Sequence, residues 1–312
     1  MRLLRFFADD GSVHLGLRQG EEVLDATLAA RRLWSEEWLT PLPIIAGGQA
    51  SLNRMRELAA ATAGNSRFRR EAVRPYAGLR LDAPLRDSPQ LLALAGNYRK
   101  HIVESGYAEI AETTTMTPQV FCKPVSTTIN APGASIQLRP ANVFVDWEIE
   151  LAVIVGRKGR DIPIDQAMSY VFGYSILNDI SERRFNSRIP NRKSREADPF
   201  FDWLAGKWFD GFAPFGPELV TTDEIADPHN LPIRLWVNGK LMQDANTSEM
   251  IFRIPEVVSY VSAVMTLEPG DILAMGTPAG VGMARDMSLH SGDVMRGEIE
   301  GLGALENSVS LA

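Results

Sequence analysis

Along the first eighty residues the apolar positions come in short alternating runs, "LLRFFA", "VHLGLR" and "EVLDA". Asp-Gly and Gly-Glu turn signals separate them, the pattern of a few short strands. The period then changes. In "GQASLNRMRELAAATAG" the residues Leu52, Met55, Leu58 and Ala59 fall on one helical face, so residues 1–85 read as a small N-terminal α+β domain. The stretch "LDAPLRDSPQ", residues 81–90, carries two prolines and mixed charge and reads as the passage into a second domain over residues 86–312. From residue 91 onward the runs are mostly strand-like. Two helices are expected there: "DQAMSYVFGY", with Asp161 and Asp165 near its start, and "PEVVSYVSAVMTLEPG", with Pro255 in its first turn and Pro269-Gly270 to stop it. The predicted fold class is α+β and strand-dominated, with helices packed outside.

One run departs from the apolar pattern in a regular way. "FVDWEIELAVIVG", residues 144–156, reads as a strand with Asp146, Glu148 and Glu150 on one face and Val145, Trp147, Ile149, Leu151 and Val153 on the other. The acidic face continues as Ala152 and Ile154, so both faces are expected to be covered. Buried carboxylates that converge repel one another and lose hydration, which raises their pKa values unless a cation sits between them. A second apolar run, "VFGYSILNDIS", ends in Asp179 and offers a third oxygen ligand. On spacing alone two readings stay open. One is a carboxylate-only site for a hard ion, Mg²⁺, Mn²⁺ or Ca²⁺ rather than Zn²⁺. The other is a solvated or hydrogen-bonded acidic face.

Composition narrows the class. Of 312 residues 45% are hydrophobic and 23% charged, ordinary values for a globular chain. A net charge of −7 without a basic run argues against a nucleic-acid partner. The lone Cys122, read as a core residue, excludes an internal disulfide. No stretch approaches the roughly 18 apolar residues of a membrane span, and the N-terminus turns acidic before any secretory h-region develops. A cytoplasmic protein with no membrane partner is expected. In "GNYRKHIVESG", His101 and Glu104 share one face of a helical turn, where a carboxylate can orient an imidazole that takes a proton from water. The same spacing also suits a surface ion pair. His14, His229 and His290 lie in turn-like surroundings and are expected at the surface, and Lys207, on pattern alone, reads as an exposed lysine. "GTPAGVG" lacks the glycine spacing of a dinucleotide fingerprint.

Five blocks, "DWEIELAVIVGRKGRDI", "GYSILNDISER", "GKWFDGFAPFGP", "LWVNGKLMQDANTSEMIF" and "LEPGDILAMGTPAGVG", in this order, resemble the fumarylacetoacetate hydrolase superfamily over about residues 91–312. The resemblance implies a mixed β-roll, barrel-like catalytic domain behind a smaller N-terminal one, commonly assembled as a homodimer. It implies that Glu148, Glu150 and Asp179 hold one Mg²⁺ or Mn²⁺, with Asp146 as a hydrogen-bonded neighbour. It further implies that His101 is a general base partnered by Glu104 on a lid, and that Lys207 is a fixed cation for developing negative charge. Thr277 would meet the substrate carboxylate, with Gln243 and Thr247 lining the same pocket and Lys123 either structural or bordering the site. Arg183, a further substrate contact, keeps its place in "DISERRFN", whereas Glu182, Arg184 and Asn186 stand where many relatives have Ala, Asp and Gln. The following "SRIPNRKSREADPFFDW" is longer and more basic than expected. Arg188, Arg192 and Lys193 are therefore candidates for a second substrate carboxylate, the alternative being a solvated charged loop. The implied activity is metal-dependent hydrolysis of a carbon–carbon bond in an acylpyruvate or fumarylpyruvate-type β-diketo acid, as in aromatic compound catabolism, with the metal chelating the α-oxo acid and His101 and Glu104 activating water. Oxaloacetate decarboxylation and isomerisation of the 2-hydroxyhepta-2,4-diene-1,7-dioate type suit the same site. A non-catalytic protein that binds metal or a small oxo-acid is the alternative outside enzymes.

Overall fold

The most apolar runs of the sequence pair with one another. In the computed structural model, which describes residues 1–106, 116–187 and 189–312, the strands Ile149–Val155 and Val171–Asn178 run antiparallel with Ile149 opposite Asn178, and every residue of both is buried. Ile272–Ala274 pairs with one edge of this couple and Ala213–Thr221 with the other. Beyond Ile272–Ala274 come Leu91–Ala95, in parallel, and then Gln119–Lys123. Strands covered on both faces read as near-continuous hydrophobic runs, as these do.

The N-terminal strands join the same sheet. Arg2–Phe7 pairs with Ala213–Thr221, Arg2 opposite Val220, and leads on to Val13–Gln19 and Glu22–Asp25, so that twelve strands form one open sheet. Glu218, fully buried at this junction, receives Arg2 Nη1 at 2.7 Å and Arg18 Nη1 at 3.3 Å. A second sheet of five strands, built mainly from residues 232–246 and 294–311, packs Ile233, Leu235 and Met295 against Ile149, Leu151 and Ile176 of the first. The chain is thus a strand-rich α+β protein, and neither sheet closes into a barrel among the described residues. The expected helices form at Gly48–Ala63, burying Met55 and Leu58, and at Ile254–Val264, burying Val257, Val258 and Val261.

Three expectations change. The helix expected in "DQAMSYVFGY" shrinks to a single turn, Ala167–Tyr170, because Val171 onward finds strand partners on both edges. The acidic strand is interrupted: Val145–Asp146 pairs with Ser181–Glu182, and the ladder resumes only at Ile149. Its gap is filled by Asn178, whose side-chain oxygen accepts the Glu148 N–H at 2.9 Å. Finally, His14 is buried rather than at the surface, with Nδ1 2.8 Å from Asp25 Oδ2, while Cys122, expected in the core, is exposed.

A buried carboxylate triad and a histidine–glutamate pair

Glu148, Glu150 and Asp179 converge. Each offers a carboxylate oxygen, and these oxygens all lie within 4.8 Å of one another. Two adjacent strands present them: Asp179 directly follows Val171–Asn178, and its N–H donates to Glu148 O at 2.8 Å, locking the two backbones side by side. All three residues are at most 5% exposed.

The cations around them are unevenly shared. Lys207 Nζ donates to Glu148 Oε2 at 2.7 Å and to Asp179 Oδ2 at 2.5 Å. Lys123 Nζ donates to Asp179 Oδ1 and to the carbonyls of Ile180 (3.1 Å) and Phe212 (2.8 Å). Arg183 joins Glu148 Oε1 to Asp146 Oδ2, the latter at 3.0 Å. Four acids, counting Asp146, thus face three cations, and Glu150 is the one left over. Its Oε2 accepts the Gly276 N–H at 2.8 Å, but its buried Oε1 has no partner among the described residues.

The electrostatics follow this imbalance. Burial, reinforced by the charges of Asp179 and Glu148, holds the Glu150 carboxyl well above the usual carboxylate range. Burial also pushes Glu148 upward, but Arg183 and Lys207, with a smaller contribution from His101, outweigh it and leave the group below its ordinary value. An orphaned oxygen, a surplus negative charge and an all-oxygen donor set together fit a hard divalent cation.

His101 and Glu104 occupy the short helix Arg99–Glu104, with Nδ1 2.9 Å from Glu104 Oε1. Glu104 is itself held: the Gly280 N–H donates to its carboxylate at 2.8 and 3.0 Å, and that of Val281 at 3.5 Å. Only glycine suits position 280, since its φ is +110° and a Cβ would lie 2.0 Å from Met242 O. The loop around it is placed from the metal strand. Trp147 Nε1 donates to Gly280 O at 3.1 Å, and Asp146 accepts the N–H groups of Gly282 (2.5 Å) and Met283 (3.0 Å). Asp146 is therefore the neighbour that ties the loop to Arg183 and not part of the converging triad. The second ring nitrogen of His101, Nε2, makes no hydrogen bond among the described residues.

The remaining candidates separate. Gln243 donates to Thr277 Oγ1 (2.8 Å) and Pro278 O (2.7 Å) and accepts the Ile149 N–H (3.1 Å), while Thr277 donates to Ile149 O at 2.9 Å. Both clamp the 277–280 loop to the start of the strand Ile149–Val155. Thr247 Oγ1 accepts the Leu231 N–H and donates to Pro228 O, joining its own turn to the 228–231 segment. Arg192 is paired to Asp202 and Asp198, and Asn186 to Asp202, so the basic segment is largely folded onto the helix Asp198–Ala205; Lys193 is exposed, and Arg188 lies outside the described residues. Glu182 is buried and accepts the N–H groups of Val143, Phe144 and Arg184, all local structure. Sequence reasoning left Lys123 undecided, and it proves to be bonded directly to a triad carboxylate.

A fold of this kind around three converging acids defines a class, and comparison with known proteins identifies it. Residues 90–310 match the fumarylacetoacetate (FAA) hydrolase C-terminal family, and the chain belongs to that family. It is 36% identical to the mitochondrial oxaloacetate tautomerase FAHD2B of Bos taurus over 314 residues, covering 99% of this chain and 91% of the relative. Among solved structures it resembles fumarylacetoacetate hydrolase from psychrophilic Exiguobacterium antarcticum, with a TM-score of 0.78 and 32% identity over 100% of both chains. It also resembles maleylpyruvate hydrolase from Sphingobium sp. SYK-6 in complex with manganese(II) ion and pyruvate, with a TM-score of 0.74 and 30% identity, again over 100% of both chains. No helix among the described residues is long and apolar enough to cross a membrane.

Proposed function

We propose that the chain is a divalent-metal-dependent enzyme of α-oxo acids whose reaction is keto–enol proton transfer on an oxaloacetate-type substrate. The observation that carries this reading is an imidazole with one nitrogen fixed by Glu104 and the other open among the described residues, on a pair whose carboxylate is held by the same 280–283 loop that Asp146 ties to the acidic strand. Glu148, Glu150 and Asp179 would hold Mg²⁺ or Mn²⁺. When bound, such an ion supplies a positive charge that polarises a 2-oxo group and favours its enol form. His101 takes the proton from the adjacent carbon and returns it to the substrate. Glu104 stabilises the imidazolium formed in between, and the Gly280 and Val281 amides keep it from turning away. Buried beside the site, Lys207 is placed to favour negative charge as it develops. The tautomerase relative that spans nearly the whole chain supports this chemistry.

A second reading, hydrolytic carbon–carbon cleavage of an acylpyruvate-type acid, is favoured by the likeness to maleylpyruvate hydrolase over the full chain. There His101 would deprotonate water instead of carbon. One experiment decides: loss of deuterium from position 3 of oxaloacetate is followed by NMR beside cleavage of an acylpyruvate panel, with Mg²⁺, Mn²⁺ or chelator. Metal-dependent exchange without cleavage is expected. Cleavage of an acylpyruvate without exchange would move the assignment to the hydrolase, and inertness on every substrate with the ion bound would refute both.

A further inference from the structure

The two buried lysines meet the same carboxylate in different ways. Lys123 gives its ammonium to three acceptors, Asp179 Oδ1, Ile180 O and Phe212 O, which satisfies all three of its N–H bonds. Two of those acceptors are backbone atoms that a bound ion would not displace. Lys207 has two acceptors, Glu148 Oε2 and Asp179 Oδ2, and both belong to the residues that would ligate an ion. Its ammonium otherwise faces aromatic rings, 5.2 Å from the centroid of Phe121 and 5.6 Å from that of Trp203. An ammonium thus sits between two of the three converging acids.

We propose that the lysines divide the work of the metal site: Lys123 is a permanent positioning residue that fixes Asp179 through Oδ1, and Lys207 is an internal counter-cation that occupies Oδ2 and Glu148 Oε2 until the ion arrives and then yields them. This rests on the metal-dependent reading above. Its physical content is a competition of like charges for the same oxygens. A divalent ion attracts the two carboxylates more strongly than an ammonium does, and the displaced Nζ would give up both acceptors. The exchange also gives Glu148 and Asp179 a shared cation before any ion is bound. The internal cation holds them together at the cost of weaker ion affinity.

The test is Mn²⁺ titration of the metal-free full-length protein by calorimetry, with Lys207→Met, Lys207→Gln, Lys123→Met and Lys123→Arg. Replacing Lys207 should tighten Mn²⁺ binding by about tenfold or more, since a competing unit charge is gone. Lys123→Met should weaken it by about tenfold, and Lys123→Arg should recover part of that loss. A merely structural role would lower the melting temperatures of all four variants without moving affinity in opposite directions. Equal-signed shifts, or no tightening in either Lys207 variant while the wild type binds Mn²⁺, overturn the inference and leave the metal site standing. A wild type that binds no Mn²⁺ sinks the metal-dependent reading and this inference with it. Independently of folding in the variants, a Mn²⁺-loaded crystal structure must show Lys207 Nζ withdrawn from Glu148 Oε2 and Lys123 still on Asp179 Oδ1; Lys207 still bridging both carboxylates would overturn the exchange.

Discussion

Two places in this molecule bury acids among cations, and they differ in arithmetic. At the junction of the N-terminal strands, one acid, Glu218, meets two guanidinium groups, Arg2 and Arg18. At the triad, four acids meet three cations, and Glu150 is left with a single backbone donor. An unpartnered oxygen does not distinguish them, because Glu218 Oε2 is orphaned just as Glu150 Oε1 is. Charge balance does. The first cluster sets one acid between two arginines that reach solvent; the second leaves Glu150 without a cation of its own.

The sharpest way to break this comparison is Glu150→Gln. The amide keeps the shape of a carboxyl that burial already holds above its ordinary range, so the metal-free protein should melt close to the wild type. Mn²⁺ affinity should collapse and turnover fall by about a thousandfold or more, since a neutral amide offers a weaker ligand to a hard ion. Calorimetric titration and steady-state rates check this. A variant that binds Mn²⁺ like the wild type would reduce the triad to another Glu218.

Two histidine–carboxylate pairs repeat the contrast on a smaller scale. His14 meets Asp25 at 2.8 Å, and its other nitrogen is closed by Ser12 Oγ at 3.0 Å. His101 meets Glu104 at 2.9 Å, and its other nitrogen is open among the described residues. His101→Ala should therefore lower turnover by roughly a hundred- to a thousandfold while Mn²⁺ affinity stays within about twofold. His14→Ala should lower the melting temperature and spare the rate per folded molecule. Loss of rate in both, or in neither, would erase the distinction between the two pairs.

How much of this was legible in the sequence follows from what periodicity encodes. Spacing of two placed Glu148 and Glu150 together, and an apolar run ending in Asp179 offered the third ligand, because both are properties of single strands. The break at Trp147–Glu148 was not legible, since it depends on Asn178 of another strand inserting its side chain into the ladder. Asp146 is the hydrogen-bonded neighbour expected, but its partners, like the place of Lys123, were hidden for the same reason. Their partners, Gly282 N and Asp179 Oδ1, come from positions 136 and 56 residues away. His14 sat in turn-like sequence but lies on the strand Val13–Gln19 with its side chain under Asp25. Loop residues such as Gly280 were visible only as glycines, without the Glu104 carboxylate that gives them their task.

The structural side of the comparison predicts smaller effects. Glu218→Ala removes the acid shared by Arg2 and Arg18, but Arg2 keeps Glu224, and the two side chains, 25% and 19% exposed, can turn toward water. Denaturant unfolding should show a loss of about 2–3 kcal/mol, below the range for a fully enclosed pair. The rate per folded molecule should not change. A larger loss of rate than of stability would mean that the N-terminal strands act on the site and do not merely dock beside it.

Asp271 completes the series as an acid with no cation at all. It is fully buried, with Oδ1 unpartnered and Oδ2 accepting the Glu268 N–H at 2.8 Å and, more weakly, Gln90 Nε2 at 3.4 Å. Burial raises its carboxyl from 3.8 to about 6, against the pull of the Glu268 N–H. A folded-state value above the unfolded one means that the fold binds the proton more tightly than the unfolded chain does. The resulting stability is therefore complete below about pH 4 and lost as pH rises through about 6. Asp271→Asn fixes the neutral state, so the wild type should lose about 1 kcal/mol relative to this variant between pH 4 and 7, allowing for solvent screening. A stability difference between the wild type and Asp271→Asn that stays constant from pH 4 to 7 would mean that folding does not tighten proton binding at the buried Asp271 carboxyl.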